Sequence, residues 1–222
     1  MTVNVVPRST FVRRYLVVMS VLILAAVLAT LAMRAGVRAR SSEVSATVGA
    51  ASFAPVDALP VLGEAGEYSL VDQTGAAFSS ASLLGKVYVI DFIFTSCTSV
   101  CPVMSASMAR VHQEFAAEPR VAFVSVTVDP ATDKPEVLDG YAKRFSADPA
   151  RWHFLTGEDA AIQSLARNRF KLGQADKPIN HTTRFVLVDG AGKIRGYYFG
   201  TEAASVAALS KDVKRLLLDT AP

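Results

Sequence analysis

Hydrophobic residues form one long uncharged run near the N-terminus and shorter, periodic segments in the rest of the chain. The long run covers residues 16–33, which include no charged residue and are flanked by three arginines on each side. About 20 apolar residues span a bilayer, whereas the apolar region of a secretory signal peptide has about 7 to 15. The length of the run therefore favours a single transmembrane helix. Stretches of small residues at 44–46 and 48–50 keep a cleaved signal peptide as the alternative.

A linker separates this predicted anchor from a folded domain. Residues 34–60 are rich in Ala, Ser, Val and Gly and lack a sustained hydrophobic period, which is typical of a linker. The folded domain is predicted for residues 61–222, and a short tail of residues 1–15 precedes the anchor at 16–33. Because only this tail and the apolar run precede the whole domain, we expect the domain to lie outside the cytoplasm.

Strand and helix patterns alternate through the folded domain. Residues 86–94 and 120–129 are nearly continuous apolar runs, as in buried parallel strands, and a helical pattern lies between them. The predicted elements are, in order, a hairpin (68–72 with a turn at Gly75), a strand (86–94), a helix ending at Pro119, a strand (120–129), a helix starting at Asp133, a strand (152–155), a helix (157–170), two strands within 184–199 and a C-terminal helix. This order predicts an α/β protein of thioredoxin-like fold with an N-terminal hairpin extension.

The helix that follows the second buried strand has a predicted capping box. Asp133 stands three residues before Glu136, and Pro135 lies in what would be the first helical turn. In a capping box the side chain of the first residue accepts a hydrogen bond from a backbone N–H of that turn. We therefore expect the Asp133 side chain to cap this helix.

The formal net charge of +3 comes from the N-terminal segment. Residues 1–40 hold six arginines and no acidic residue, so the 23 basic residues of the chain leave 17 against 20 acidic ones, or −3, in residues 41–222. Nucleic-acid-binding domains carry basic patches, and the folded domain has no such excess. We therefore expect no nucleic-acid partner.

The two cysteines of the chain, Cys97 and Cys101, lie where the first buried strand ends and a helix begins. Free N–H groups and partial positive charge at a helix start lower the pKa of cysteines and favour thiolates. Residues four apart share one face of a helix, so the two sulfurs can converge on one metal ion or bond to each other. The alternative is a pair of small core residues that continue the apolar stripe of Met104 and Met108.

Among the three histidines, His181 is the best placed as a third ligand. His112 lies eleven residues after Cys101, about 16 Å along a continuous helix, which is too far to share an ion. His153 stands beside Trp152 and is interpreted as an ordinary surface or packed histidine. His181 precedes the strand that opens the final hairpin, and in thioredoxin-like topology this loop passes close to the cysteine helix. Two thiolates and one imidazole suit Cu(I), whereas structural zinc normally takes four ligands.

Four segments of the domain resemble the SCO/SenC family, the copper chaperones of cytochrome c oxidase assembly. The segments are FIFTSCTSVCPVM, VSVTVDPATDKPEVLDGYAKRF, WHFLTG and NHTTRFVLVD, in the family's order and approximate spacing. The resemblance covers about residues 60–220 and is far more specific than the cysteine spacing alone.

The resemblance implies a ligand set for copper, as Cu(I) or Cu(II). Cys97 and Cys101 are implied as the thiolate ligands and His181 as the imidazole ligand. Asp129 matches the family's Asp-Pro motif and is implied as a residue that supports the site. The alternative for Asp129 is an ordinary turn residue before Pro130.

The resemblance also implies a single-span protein of the bacterial inner membrane whose domain faces the periplasm. The arginines on both sides of the apolar run leave the orientation open by themselves. The implied role is delivery of copper to the binuclear copper site of cytochrome c oxidase subunit II. The expected partners are therefore subunit II, another periplasmic copper chaperone and, through the N-terminal helix, the membrane.

The same cysteines support a second function, thiol-disulfide exchange. A reductase of the oxidase cysteines needs one attacking and one resolving thiol but no histidine, and a peroxidase needs a Thr near the attacking Cys, as with Thr95 and Cys97. A third alternative is a tethered structural domain with an incidental disulfide. Copper binding that depends on His181 would distinguish the carrier, which is not an enzyme, from the other two.

Overall fold

A computed structural model describes residues 58–173 and 182–219, together with Met19. The chain divides into a unit up to Asp57 and a second compact unit from Ala58 to Pro222. No helix among the described residues is long and apolar enough to cross a membrane. The predicted tail (1–15), the predicted anchor (16–33, apart from Met19) and His181 lie outside the described residues.

Strands and helices alternate in the second unit as predicted. The strands are β1 (Gly63–Glu64), β2 (Ser69–Asp72), β3 (Ala77–Ser79), β4 (Val87–Ile93), β5 (Val121–Thr127), β6 (Trp152–Thr156), β7 (Arg184–Val188) and β8 (Lys193–Phe199). The helices are α1 (Val100–Glu114), α2 (Pro135–Arg144), α3 (Asp159–Ser164), which continues into a π-helical turn (Leu165–Arg169), and α4 (Ala203–Asp219). A 3-10 turn (Ser80–Leu83) follows β3.

The strands of the described residues form one mixed sheet. Their order is β1-β8-β7-β4-β5-β6-β2-β3, with β4, β5 and β6 parallel and the other pairs antiparallel. The predicted hairpin is β2 and β3, which extends the sheet beside β6, and its turn contains Gly75 with φ of 84°. This left-handed conformation is open to glycine without strain.

The centre of the sheet brings together the chain segments that follow β4 and β5. Every residue of both strands is buried, and they pair in parallel register from Val87 opposite Val121 to Ile93 opposite Thr127. Val128 extends the pairing by donating its N–H to the carbonyl of Ile93 at 2.8 Å. The carboxyl ends of parallel strands meet at one edge of a sheet, so the residues after Ile93 and after Thr127 become neighbours.

Helices cover both faces of the sheet. On one face Val89 and Ile93 of β4 pack with buried residues of α1, α2 and α4. On the other face Ile90 and Phe92 pack with residues of α3. This division follows from the two-residue alternation of side chains along a strand.

The predicted capping box at Asp133 is wrong. Helix α2 has Lys134 as its N-terminal cap residue, and no side chain caps it. The Asp133 side chain is fully buried and accepts hydrogen bonds from Thr95 and Thr127 instead. The Asp133 carboxylate therefore bonds to threonines at the ends of β4 and β5 and does not cap α2, as the local sequence pattern had predicted it would.

Candidate metal centre

The two cysteines lie at the junction of β4 and α1. Cys97 is partly exposed in the loop between these elements, and Cys101 is the second residue of α1 and is buried. The Cys101 N–H donates to Cys97 Sγ at 3.4 Å, and the Ser99 hydroxyl lies 3.8 Å from the same sulfur. Both cysteines are free thiols. The sulfur of Cys97 therefore lies against the first turn of α1, although Cys97 itself precedes the helix and does not share a helical face with Cys101 as the spacing predicted.

The two thiols have different acidities. Burial acts to raise the pKa of Cys97, but hydrogen bonds from the backbone N–H groups of Cys101 and Ser99 outweigh it and lower that pKa to about 7. Burial, together with the neighbouring Cys97 side chain, raises the pKa of Cys101 to about 12. The lowered pKa expected at a helix start therefore applies to Cys97 alone. At pH 7 about half of the Cys97 side chains are therefore thiolates, beside a buried Cys101 thiol that keeps its proton.

A turn fixes the loop that carries Cys97. The Cys97 N–H donates to the carbonyl of Phe94 at 3.3 Å, which leaves Thr95 and Ser96 as the two central residues of the turn. The Thr95 hydroxyl donates to Asp133 Oδ1 at 2.5 Å, and the Thr95 N–H donates to Asp133 Oδ2 at 3.0 Å. Since the Thr95 hydroxyl is engaged in this way, it points to Asp133 and not to the sulfur of Cys97.

A second buried carboxyl lies on the same face of the sheet as Cys101. Asp91 lies between Val89 and Ile93 on the same side of β4, since side chains two residues apart share a face of the sheet. Val89 and Ile93 pack in the cluster that contains Cys101. Burial raises the pKa of Asp91 to about 7, although Ser125 donates a hydrogen bond to its Oδ1 at 2.6 Å. Among the described residues, its Oδ2 has no hydrogen-bond partner. The sequence signal for this group was a single acidic residue within a continuous apolar run.

Two of the three histidines pack against aromatic rings: His112 is buried, and His153 is half-buried. His112 is buried against the rings of Phe123 and Trp152, and burial lowers its pKa. The ring of His153 lies 4.9 Å from that of Phe78, and burial lowers its pKa as well. Neither is placed beside the sulfurs, in agreement with the interpretation of the sequence.

Comparison with known proteins identifies the family. The model of the SCO1/SenC family matches residues 60–218. The chain belongs to the SCO1/SenC family. The SCO1 protein homolog of Bacillus subtilis is 33% identical over 161 residues, which cover 70% of this chain and 83% of that protein. The resemblance found in the sequence is therefore confirmed.

Solved Sco structures share the fold of this SCO1/SenC chain. BsSco, a member of the Sco family of cytochrome c oxidase assembly proteins with an identified disulfide switch, matches with a TM-score of 0.63 and 33% identity, over 72% of this chain and 96% of that one. The ScoI protein of Bradyrhizobium japonicum, solved with copper bound, matches with a TM-score of 0.53 and 26% identity, over 68% of this chain and 98% of that one. These likenesses confirm the thioredoxin-like α/β fold.

The remaining predicted site residues of the SCO1/SenC chain have different outcomes. His181 lies outside the described residues, and no group of three or more His, Cys, Asp or Glu within the described part of the chain could hold a metal ion. Asp129 follows β5, where its Oδ1 accepts the Thr132 N–H at 3.4 Å and its own N–H donates to Thr127 Oγ1 at 2.9 Å. This is the geometry of a turn residue, and a supporting role of Asp129 at the metal stays a prediction.

Proposed function

We propose that this SCO1/SenC protein binds copper through Cys97, Cys101 and His181 and delivers it to the binuclear copper site of cytochrome c oxidase subunit II. The observation that carries the proposal is the Cys97 sulfur, which lies against the N–H of Cys101 and has a pKa of about 7. A thiolate that is accessible at neutral pH is a ligand for soft metals such as Cu(I). Copper bound in a structure of a family member supports the choice of metal.

Copper would be bound in two steps that follow from the acidities of the two thiols. The partly exposed Cys97 sulfur meets the metal first, because its pKa of about 7 makes it a thiolate in much of the protein at neutral pH. Cys101 then loses its proton as its sulfur joins the coordination, since a metal ligand must be a thiolate. The imidazole of His181 completes a three-coordinate site. Copper is the cargo of this protein, so a site that can release it suits the role.

The predicted anchor at residues 16–33 would hold the domain at the periplasmic face of the inner membrane. The length of the apolar run supports an anchor, and the family resemblance supports the periplasmic side. In this arrangement the linker lets the dithiol reach a partner in the same membrane. The proposed donor of the copper is another periplasmic copper chaperone.

Thiol-disulfide exchange is the second candidate function, and the difference between the two thiols favours it. The Cys97 thiolate would attack a disulfide of the partner, release one partner thiolate and form a mixed disulfide. Cys101 would then lose its proton and attack the Cys97 sulfur, which releases the second partner thiolate and leaves a Cys97–Cys101 disulfide. The partner gains two electrons and the dithiol is oxidised. The disulfide switch of BsSco supports this candidate.

Copper titration of the reduced full chain, followed by X-ray absorption, tests the first proposal. We expect one Cu(I) per chain with sulfur and nitrogen ligands, and a fall in affinity of at least about tenfold in Cys97→Ser, Cys101→Ser and His181→Ala. His153→Gln, at a half-buried position beside Phe78, is the matched histidine control and should bind copper as the unsubstituted chain does. Unchanged affinity in His181→Ala would refute its role as a ligand. If the chain reduced a disulfide substrate efficiently but bound no copper in the titration, the second candidate would be favoured.

A further inference from the structure

Asp133 is a buried carboxyl group that joins three elements of the fold. It is fully buried at the start of α2 and accepts hydrogen bonds from Thr95, after β4, and from Thr127, at the end of β5. Burial of a carboxylate is costly unless hydrogen bonds compensate for the lost water. The same carboxylate at the surface would have capped α2 at no such cost. Its inward position therefore points to a role at the junction of β4 and β5.

The hydrogen bonds around Asp133 have defined directions. The Asp129 N–H donates to Thr127 Oγ1 at 2.9 Å, which leaves the Thr127 hydroxyl hydrogen free to point to Asp133 Oδ2, at 2.5 Å. The N–H of Thr95 donates to the same oxygen at 3.0 Å, and its hydroxyl donates to the other at 2.5 Å. All three partners donate, so the group acts as an acceptor on every side.

The Thr95 end of this network is continuous with the cysteine loop. Thr95 is the first central residue of the turn that the Cys97 N–H closes on Phe94. The Asp133 carboxylate accepts hydrogen bonds from both the N–H and the hydroxyl of Thr95. These bonds fix the position at which the turn leaves β4. The conformation of this turn places Cys97 Sγ at 3.4 Å from the backbone nitrogen of Cys101. Outer hydrogen-bond partners of this kind set the orientation of metal-binding side chains.

We propose that Asp133 is a positioning residue of the dithiol, which holds the turn at Thr95 so that the Cys97 sulfur stays against the first turn of α1. The effect on copper binding rests on the proposed function. The effect on the acidity of Cys97 does not, because it depends only on the geometry of the loop and helix.

The sign of the effect separates positioning from simple electrostatics. If Asp133 acted only through its negative charge, Asp133→Asn would remove a repulsion and lower the pKa of Cys97. If Asp133 acts by positioning, loss of the turn geometry weakens the hydrogen bonds from the α1 backbone and raises that pKa. Thr127→Val removes a hydroxyl from the network without any change of charge and without altering residues near Cys97 in the chain. It should therefore act in the same direction as Asp133→Asn.

The test measures thiolate absorbance against pH, and Cu(I) affinity against a competing chelator, in the reduced full chain. In Asp133→Asn and Thr127→Val we expect the pKa of Cys97 to rise by about one unit towards its ordinary value and the affinity to fall about 10- to 100-fold. Asp72→Asn is the matched control. Asp72 also accepts three hydrogen bonds in a turn, from the Thr74 N–H, the Thr74 hydroxyl and the Ala76 N–H, but it lies in the β2–β3 hairpin. It should change neither quantity.

An unchanged or lowered pKa of Cys97 in Thr127→Val would overturn the proposal. If Asp133→Asn does not fold, as judged by the fluorescence of Trp152, Thr127→Val decides alone by the same criterion. If the unsubstituted chain binds no copper, the proposed function fails, and the thiolate titration still decides whether Asp133 positions Cys97. Equal effects of Asp72→Asn and Asp133→Asn would also overturn the proposal, because they would indicate a general loss of turn stability.

Discussion

Replacing Asp91 with Asn is expected to remove a large part of the pH dependence of stability between about pH 4 and pH 8. Burial raises the pKa of Asp91 to about 7 in the folded protein, whereas an Asp in an unfolded chain titrates near 3.9. Between these values the unfolded chain has lost its proton and the folded protein keeps it. The unfolded state therefore binds fewer protons, and the free energy of unfolding falls as the pH rises.

The structure sets the size of this effect. A difference of about 3 pKa units corresponds to about 4 kcal/mol of stability, present at pH 4 and lost once the pH has passed 7. The Asn side chain keeps an oxygen that can accept the hydrogen bond from Ser125 but cannot ionise. At pH 4 it resembles the protonated Asp. The advantage of the variant over the unsubstituted protein should therefore grow by up to about 4 kcal/mol from pH 4 to pH 8.

Urea unfolding of the reduced, metal-free full chain measures this difference. Trp152 is the only tryptophan of the chain, and its indole N–H donates to Ser125, the residue that bonds Asp91. Its fluorescence thus reports unfolding at the relevant place. Other titrating groups, such as Cys97 and His112, contribute equally in both proteins and cancel in the difference. Parallel stability curves of the two proteins across this range would refute the reasoning from burial.

Three further predictions follow from the dithiol and from the contact of α1 with α2. At pH 7.5 iodoacetamide should alkylate Cys97 at least about 100-fold faster than Cys101, measured by mass spectrometry of peptides, and equal rates would contradict the difference in acidity. Between pH 8 and 10 the apparent Cu(I) affinity should rise about tenfold per pH unit, because in this range only Cys101 still releases a proton when copper binds. An affinity independent of pH would exclude Cys101 as a ligand. Ser105→Ala should lower the free energy of unfolding, measured with urea, by about 1 to 3 kcal/mol, because the hydroxyl of Tyr141 loses its buried hydrogen-bond partner at 2.9 Å. An unchanged free energy of unfolding would show that another group replaces Ser105.

The order of the elements could be predicted because hydrophobic periodicity is a local property of the sequence. The runs at 86–94 and 120–129 contain β4 and β5, and a helix lies between them as expected. The capping box at Asp133 failed because capping is also judged locally, whereas Thr95 reaches this carboxylate from 38 positions away. Hydrogen bonds between residues so far apart in the sequence produce no periodic pattern from which they could be predicted.

The candidate site was predictable in its location and not in its energetics. The position of Cys97 and Cys101 at a helix start follows from the strand and helix pattern. The difference between their acidities depends on depth, because Cys101 is packed with Met104 and Val89 while Cys97 stays partly exposed. Asp91 was equally hidden, since an acidic residue within an apolar run does not reveal whether a partner such as Ser125 lies opposite it.

The unequal thiols constrain both proposed functions in the same way. Whether the partner brings copper or a disulfide, Cys97 can react first as a thiolate, and the reaction is completed only when Cys101 gives up its proton. The nearby negative charges of Cys97 and Asp91 oppose this second step, since both act to raise the pKa of Cys101. Copper binding removes the opposition from Cys97, because the cation neutralises its charge. A bare dithiol must instead rely on the mixed disulfide, which also removes that charge. In either role, therefore, engagement of Cys97 is what makes Cys101 available.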